Sequence, residues 1–353
     1  MSKTIQLTVT SVQHNTTESV LVEFTSSVPL EFKAGQYITF FIPFEGEILH
    51  RSYSLSCAPH EERIQIGVKR TEGGRASSFL VNSVRVGDQF EANPPQGNFV
   101  LPKRLDQATH FVFFAAGSGI TPVISMIKSI EHNSKNHQTT LFLGNRNPDS
   151  VMFKIQLDEL DLSERTEIIH VYSQNKHVAP LLQGRISFGK TWELIEHYIN
   201  DSLPKVFYIC GPSGMMSSVQ NALTDLGIDS DSVHREFFKN PGQDFEQKQT
   251  KEKEMSTFEG TSKIHVILDE EEFEFELGSK GKVILNAAMD AGADAPFSCK
   301  GGICTTCKAK LIEGKVEMDQ NFALTDGEIA EGFILTCQSH PRSEKVVLSY
   351  DDV

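Results

Sequence analysis

The chemistry of this sequence begins with four cysteines. Cys299, Cys304 and Cys307 stand as C-x4-C-x2-C in the stretch Phe297-Ser-Cys-Lys-Gly-Gly-Ile-Cys-Thr-Thr-Cys, and Cys337 follows after twenty-nine intervening residues. That spacing is the plant-type pattern for a [2Fe–2S] cluster, in which each iron takes two thiolates. A tight loop supplies three ligands and a remote segment the fourth. Gly301 and Gly302 suit the loop, because backbone amides approach bridging sulfides only where no side chain intervenes. A zinc site, which ordinarily shows two C-x2-C-like pairs, and a disulfide pair are competing uses of the same residues. If the cluster is present, the upstream chain is expected to deliver electrons to it.

Two further stretches near the N-terminus hold candidate chemistry. In His50-Arg51-Ser52-Tyr53-Ser54-Leu55, the planar fork of Arg51 can hold a pyrophosphate. Tyr53 can lie against an isoalloxazine ring, and Ser54, read as sharing its strand face, can reach flavin N5. An exposed strand with one core Tyr is the alternative. Gly73-Gly74-Arg75-Ala76-Ser77-Ser78 reads as a Gly turn opening a short helix, whose free amides and Ser hydroxyl form an anion site. A plain strand-to-helix turn would give the same residues.

Further on, Ala115-Ala116-Gly117-Ser118-Gly119-Ile120-Thr121-Pro122 ends an apolar run with two glycines. Close backbone approach at a helix start, with Pro122 suited to the first turn, shapes a pyrophosphate cradle. The third glycine of the ordinary dinucleotide fingerprint is replaced by Pro122, which argues against an ordinary Rossmann dehydrogenase. Ile209-Cys210-Gly211-Pro212-Ser213 repeats the pattern of strand, turn and helix. Cys210 is either part of a ligand pocket or a small buried thiol at a strand end.

The elements that must position these residues follow from periodicity. Segments 5–12, 20–24, 37–42, 52–56, 64–68 and 89–92 alternate and are separated by Gly, Pro and Asn, the cadence of a small antiparallel barrel. Short apolar runs at 110–115, 139–143, 167–171 and 206–209 alternate with amphipathic segments near 121–132, 151–161, 190–200 and 213–226. That pattern predicts a doubly wound parallel sheet with ligands at the carboxyl ends of its strands. Residues 239–262 are rich in Pro, Gly, Gln, Lys and Glu and read as a solvated linker. Beyond it, 264–268 and 273–277 form a hairpin around Asp269-Glu270-Glu271-Glu272, and 286–291 reads as a helix before the cysteine loop. The expected domains are 1–104, 105–238 and 263–353.

At 353 residues the chain is long enough for two or three cores, and its 39% apolar and 23% charged content is that of an ordinary globular protein. A formal charge of −14 argues against nucleic acid or an anionic membrane as partner. From residue 261 onward, seventeen Asp and Glu face nine Lys and Arg. That surplus is a solvated face or an acidic docking surface for a basic electron acceptor. No apolar run reaches the length of a membrane span, and the N-terminus lacks a signal-like core. Thiolate-bound iron suits a reducing compartment, so the cytoplasm is the expected location.

The pairing of R-x-Y-S-L with G-G-x-x-S resembles the flavin domain of the ferredoxin–NADP reductase superfamily. The resemblance implies that Arg51, Gly74 and Ser77 hold the FAD pyrophosphate and that Tyr53 and Ser54 contact the ring. It also implies an NAD(P)H site on Gly117, Gly119, Thr121, Ser173, Cys210, Gly211 and Pro212, with Ser54, Cys210 and Glu236 at the hydride-transfer position. In relatives an aromatic near Glu236-Phe237-Phe238 covers the flavin. After the third strand, Tyr172-Ser173-Gln174-Asn175-Lys176 keeps the Ser of NADPH-specific members but has Gln174 for their Arg. Lys176 or Arg185 can supply charge instead, a lean toward NADPH over NADH.

Glu317-Met318-Asp319-Gln320-Asn321-Phe322-Ala323-Leu324 and Gly332-Phe-Ile-Leu-Thr-Cys337-Gln338 resemble the reductase subunits of bacterial phenylacetyl-CoA epoxidases and of ketosteroid hydroxylases, a resemblance that covers all three domains in the order flavin, nicotinamide, ferredoxin. The implied fold is multidomain: an antiparallel FAD-binding β-barrel, a doubly wound NAD(P)-binding α/β domain and a β-grasp-like [2Fe–2S] ferredoxin. The implied activity is NAD(P)H-dependent electron transfer through FAD and the cluster to an oxygenase, expected to be a di-iron enzyme of phenylacetate breakdown. A steroid hydroxylase or hybrid-cluster protein as acceptor, or a non-catalytic redox sensor, remain alternatives.

Overall fold

Alternation at the N-terminus produces the barrel that it predicts. The computed structural model describes residues 4–102, 107–133, 135–238, 258–324 and 326–352. Strands β1 (Ile5–Thr16), β2 (Ser19–Ser26), β3 (Tyr37–Phe44), β4 (Glu47–Ser54) and β5 (Ile64–Lys69) are followed by helix α1 (Arg75–Asn82) and strand β6 (Gln89–Ala92). They form one antiparallel sheet in the order β4-β3-β6-β1-β2-β5. A bridge between Leu55 and Ile66 joins the chain just beyond β4 to β5, at the other end of that order. Alternate residues such as Leu7, Val9, Val22, Phe24, Ile38 and Phe40 point inward and are buried together, as period-two patterning requires.

Next come β7 (His110–Ala116), α2 (Ile120–Asn133), β8 (Gln138–Asn145), α3 (Lys154–Leu160), β9 (Thr166–Tyr172), α4 (Phe188–Tyr198), β10 (Lys205–Gly211), α5 (Ser213–Asp225) and β11 (Val233–Phe237). The strands form a parallel sheet ordered β11-β10-β7-β8-β9. Buried residues of α2 and α3 pack on one face, those of α4 and α5 on the other. The chain runs outward from β7 to β9 and then returns to the opposite side of β7. The switch in direction therefore falls between β7 and β10, the place where sheets of this kind take ligands at their carboxyl ends. Strand β11 was not expected: Val-His-Arg-Glu-Phe shows little apolar continuity, and it is pairing with β10 that holds it. Barrel and parallel sheet belong to one compact unit within residues 3–238.

A second unit lies within residues 239–353. Of the expected linker, residues 239–257 lie outside the described residues. The rest does not run to residue 262, because β12 (Thr261–Leu268) begins before then and its ladder with β18 starts at Lys263. There follow β13 (Glu271–Gly278), α6 (Ile284–Asp290), β14 (Lys308–Glu313), β15 (Val316–Met318), α7 (Asp326–Ala330), β16 (Phe333–Leu335), β17 (Ser339–Pro341) and β18 (Lys345–Ser349). The five-stranded sheet runs β13-β12-β18-β14-β16, with β12 and β18 parallel at its centre and α6 packed on its core, a β-grasp-like arrangement. The β12–β13 turn is tighter than expected. Asp269 and Glu270 both have left-handed φ (54° and 65°), while Glu271 and Glu272 already belong to the strand. That is the turn geometry matching hairpin twist. Among the described residues no helix is long and apolar enough to cross a membrane.

Phe153 closes the contact between barrel and sheet. It is fully buried, its backbone N–H donates to Asn15 Oδ1 at 2.7 Å, and its ring lies where a β-carbon on Gly67 would meet it at 2.6 Å. Phe153→Ala is expected to cost about 3–5 kcal/mol. The check is a lowered urea midpoint followed by fluorescence of Trp192 on α4.

Candidate functional site

At the switch point the two turns singled out by their glycines meet. The 3-10 turn Gly117–Gly119 lies against the end of β10 so closely that a β-carbon on Gly119 would fall 2.1 Å from the carbonyl oxygen of Cys210. Gly117 takes a left-handed φ of 56°, and Thr121 Oγ1 donates to the Ser118 carbonyl at 2.9 Å, fixing the turn that opens α2. Pro212 is the N-cap of α5 without a side-chain cap bond, so the amides of that helix start have no capping side chain. Cys210 is buried. Desolvation, and after it the charge of Glu236, push its thiol well above the usual range. Glu236 is its partner across the β10–β11 ladder.

On the barrel side, Arg51 turns back onto its own strand, donating to the His50 carbonyl at 2.7 Å. Tyr53 packs edge-on to Phe40 with centroids 6.0 Å apart. Burial holds its phenol far above the ordinary value, so it stays neutral. Tyr53 and Ser54 are consecutive residues of β4 and point to opposite faces, so the expected shared face does not hold. Ser54 instead offers a buried Oγ with no hydrogen-bond partner, an atom that calls for one from outside the protein chain. Gly74 is the N-cap of α1, again without a side-chain cap bond. The Ser77 hydroxyl accepts from the Thr71 amide at 3.1 Å and so holds the turn itself.

Two groups escaped the sequence reading. A β-carbon on Gly117 would lie 3.9 Å from Lys69 Nζ, so this barrel lysine overhangs the Gly117–Gly119 turn. Burial, then the neighbouring Arg146, lower its pKa. Its signal was the Val68-Lys69-Arg70 run ahead of the double glycine, which reads as a strand end until the sheets are docked. Asn145, at the carboxyl end of β8, keeps a buried and unpartnered Nδ2. Ser173 lies beyond β9, exposed, with its amide donating to the Asn145 carbonyl at 2.9 Å. Arg185 follows Gly184, whose amide donates to Tyr172, so the two segments run side by side.

In the second unit the four cysteines converge. Cys304 Sγ lies 3.2 Å from Cys299 Sγ, Cys299 also bonds Cys337, and Cys307 bonds Cys337. The thiol hydrogen bonds of Cys304 and Cys337, with the amides of Gly301 and Cys304, hold Cys299 well below the ordinary thiol range. Amides aimed at a sulfur are what a thiolate ligand needs. Among the described residues no set of three or more His, Cys, Asp or Glu closes around a single ion. Four convergent thiols are the number of ligands that a [2Fe–2S] cluster takes. All six cysteines are free of disulfides. Gly302 has φ 72°, and a β-carbon there would strike the Gln320 carbonyl at 2.6 Å. Thr336 Oγ1 donates to the Cys307 carbonyl at 3.0 Å and lies 2.8 Å from the Tyr350 hydroxyl, tying the fourth-ligand segment to the loop.

Comparison with known proteins matches these pieces in order: an oxidoreductase FAD-binding domain over 6–101, an oxidoreductase NAD-binding domain over 113–221 and a 2Fe-2S iron-sulfur cluster binding domain over 266–342. The chain is 35% identical to a subunit of the 1,2-phenylacetyl-CoA epoxidase of Escherichia coli K12, covering 98% of this chain and 97% of that one. It belongs to the ferredoxin–NADP reductase superfamily, in the group with a C-terminal [2Fe–2S] ferredoxin. This reductase is also 34% identical to the ferredoxin reductase component of a Mycobacterium tuberculosis 3-ketosteroid-9-alpha-monooxygenase, over 92% of this chain and 86% of that one. Phthalate dioxygenase reductase, described as a modular structure for electron transfer from pyridine nucleotides to [2Fe–2S], superposes with a TM-score of 0.60 at 26% identity, covering 98% and 97% of the two chains. The chain is thus an NAD(P)H-dependent iron–sulfur flavoprotein reductase using FAD and a [2Fe–2S] cluster.

Two outcomes are expected. Gly119→Ala must displace the Cys210 carbonyl and should weaken nucleotide binding about tenfold or more, read by titrating the flavin spectrum with NADP+ or NAD+. Cys304→Ser should remove most acid-labile sulfide while bound FAD per chain stays unchanged.

Proposed function

We propose that this reductase supplies electrons to the oxygenase component of a phenylacetyl-CoA epoxidase, a di-iron enzyme, in the cytoplasm. Identity to the epoxidase protein across all three domains carries this assignment. NAD(P)H supplies a hydride, two electrons with one proton, which FAD accepts, and the cluster releases the electrons singly.

The residues do the positioning. Arg51 and the helix start that runs from Gly74 to Ser77 would hold the flavin pyrophosphate, Tyr53 would back the ring, and the unpartnered Ser54 hydroxyl, which points to the other face of β4, would meet the ring edge. Gly117, Gly119 and Thr121 cradle the nucleotide pyrophosphate, assisted by Lys69. Cys210, Gly211 and Pro212 wall the nicotinamide, with Glu236 beside Cys210 and an aromatic at Phe237 or Phe238 as cover. Ser173 with Lys176 or Arg185 favours a 2′-phosphate, so NADPH. Cys299, Cys304, Cys307 and Cys337 ligate the cluster. Orientation and exclusion of water account for the catalysis, with no protein nucleophile needed. The proposed domains span 1–104, 105–238 and the segment from 261 onward.

The order of carriers is tested by comparing a small dye with cytochrome c. Cys304→Ser should keep NAD(P)H–dye reduction and lose most cytochrome c reduction; equal loss with FAD retained sinks the order. The acceptor is tested by adding the reductase to purified oxygenase components. Turnover with the epoxidase oxygenase should exceed that with a ketosteroid hydroxylase oxygenase, and the reverse ranking would reassign the partner.

A further inference from the structure

Helix α2 touches both halves of the first unit through a single stripe. Its start carries the Gly117–Gly119 turn, and Thr121, Ser125 and Lys128 follow at i, i+4 and i+7, one helical face. The Thr121 methyl lies where a β-carbon on Gly67 of β5 would meet it at 2.9 Å. Ser125 is fully buried, and its Oγ donates to the Cys57 carbonyl at 2.6 Å. Lys128 Nζ donates to the Ser56 carbonyl at 3.5 Å and pairs with Glu61 at 3.2 Å.

Those two carbonyls are not arbitrary positions. They belong to Ser54-Leu55-Ser56-Cys57, so the helix grips the chain two and three residues beyond the orphaned Ser54 hydroxyl. That strand end cannot yield on its other side. Ser56 N–H donates to the Gln65 carbonyl at 2.8 Å, and the Gln65 amide donates to Cys57 Sγ at 3.3 Å, fixing it to β5. Glu61 is in turn held by Arg63 at 2.8 Å, and Arg63 by Glu23 on β2 at 2.9 Å. From Gly119 to Ser125 is about 9 Å of helix at ~1.5 Å per residue. The nucleotide turn and the flavin-side hydroxyl are thereby joined by a short strut of polar contacts within buried surroundings.

We propose that Ser125 and Lys128 are positioning residues for hydride transfer: they set how closely the nucleotide turn is held to the Ser54 strand end, without touching either cofactor. The proposal rests on the NAD(P)H-to-FAD reading above. Distance sensitivity makes the effect large, since misplacement of about 1 Å can cost roughly a hundredfold in rate.

The test uses the FAD-loaded full chain, mixed anaerobically with NADPH and with NADH. Ser125→Ala and Lys128→Met should each lower the limiting rate of flavin reduction about ten- to a hundredfold. They should also weaken the long-wavelength charge-transfer absorbance of nicotinamide stacked on flavin. FAD content and the dissociation constant for NADP+ or NAD+ should stay within about twofold, and Lys128→Arg should recover most of the rate. Unchanged rate and absorbance in both variants overturn the proposal, as does a rate loss that only tracks lost FAD or weakened nucleotide binding. Failure of the unaltered protein to reduce its flavin with either nucleotide would instead overturn the parent reading.

Discussion

The Gly117–Gly119 turn rests so closely on the carbonyl of Cys210 that no side chain fits between them. This steric constraint joins the carboxyl ends of the two strands flanking the switch point. It brings two helix starts, those of α2 and α5, to one crevice. Backbone amides and helix dipoles then converge where a dinucleotide phosphate belongs. Burial at this strand end, and after it the charge of Glu236, also push the Cys210 thiol well above its usual range.

A second constraint is the sharing of α2. Its buried face serves the parallel sheet through Ile120, Val123, Ile124 and Ile127, whereas Ser125 and Lys128 reach the barrel. A helix that is apolar nearly all round is typical of a doubly covered element. Here Thr121, Ser125, Lys128 and Ser129 interrupt that pattern, and of these Ser125 and Lys128 meet backbone carbonyls of the barrel. Buried donors are stable only where they find such acceptors, so these two interruptions record the docking of one domain on the other.

Much of this architecture is legible in the sequence. Barrel strands announced themselves by alternation, the parallel sheet by short apolar runs, and the cluster by cysteine spacing. What escaped was whatever depends on partners distant in sequence. β11 is held by its ladder with β10 and shows no pattern of its own. Lys69 reads as the end of a strand until the nucleotide turn is placed beneath it. Tyr53 and Ser54 point to opposite faces of β4, because adjacent strand residues cannot share one. Ser77 reads as a phosphate ligand, yet its hydroxyl is engaged by the Thr71 amide. Local chemistry was visible; the competition for each donor was not.

The turn between β12 and β13 holds two consecutive acidic residues in left-handed backbone, an arrangement glycine or asparagine would adopt with less strain. Their amides are accepted by the two carboxylate oxygens of Asp351, at 2.8 and 3.0 Å. The far end of the ferredoxin sequence thus braces the hairpin that opens it. Removing or masking the Asp351 carboxylate would loosen the module's first fold-back, a dependence that makes two segments distant in sequence a single mechanical joint.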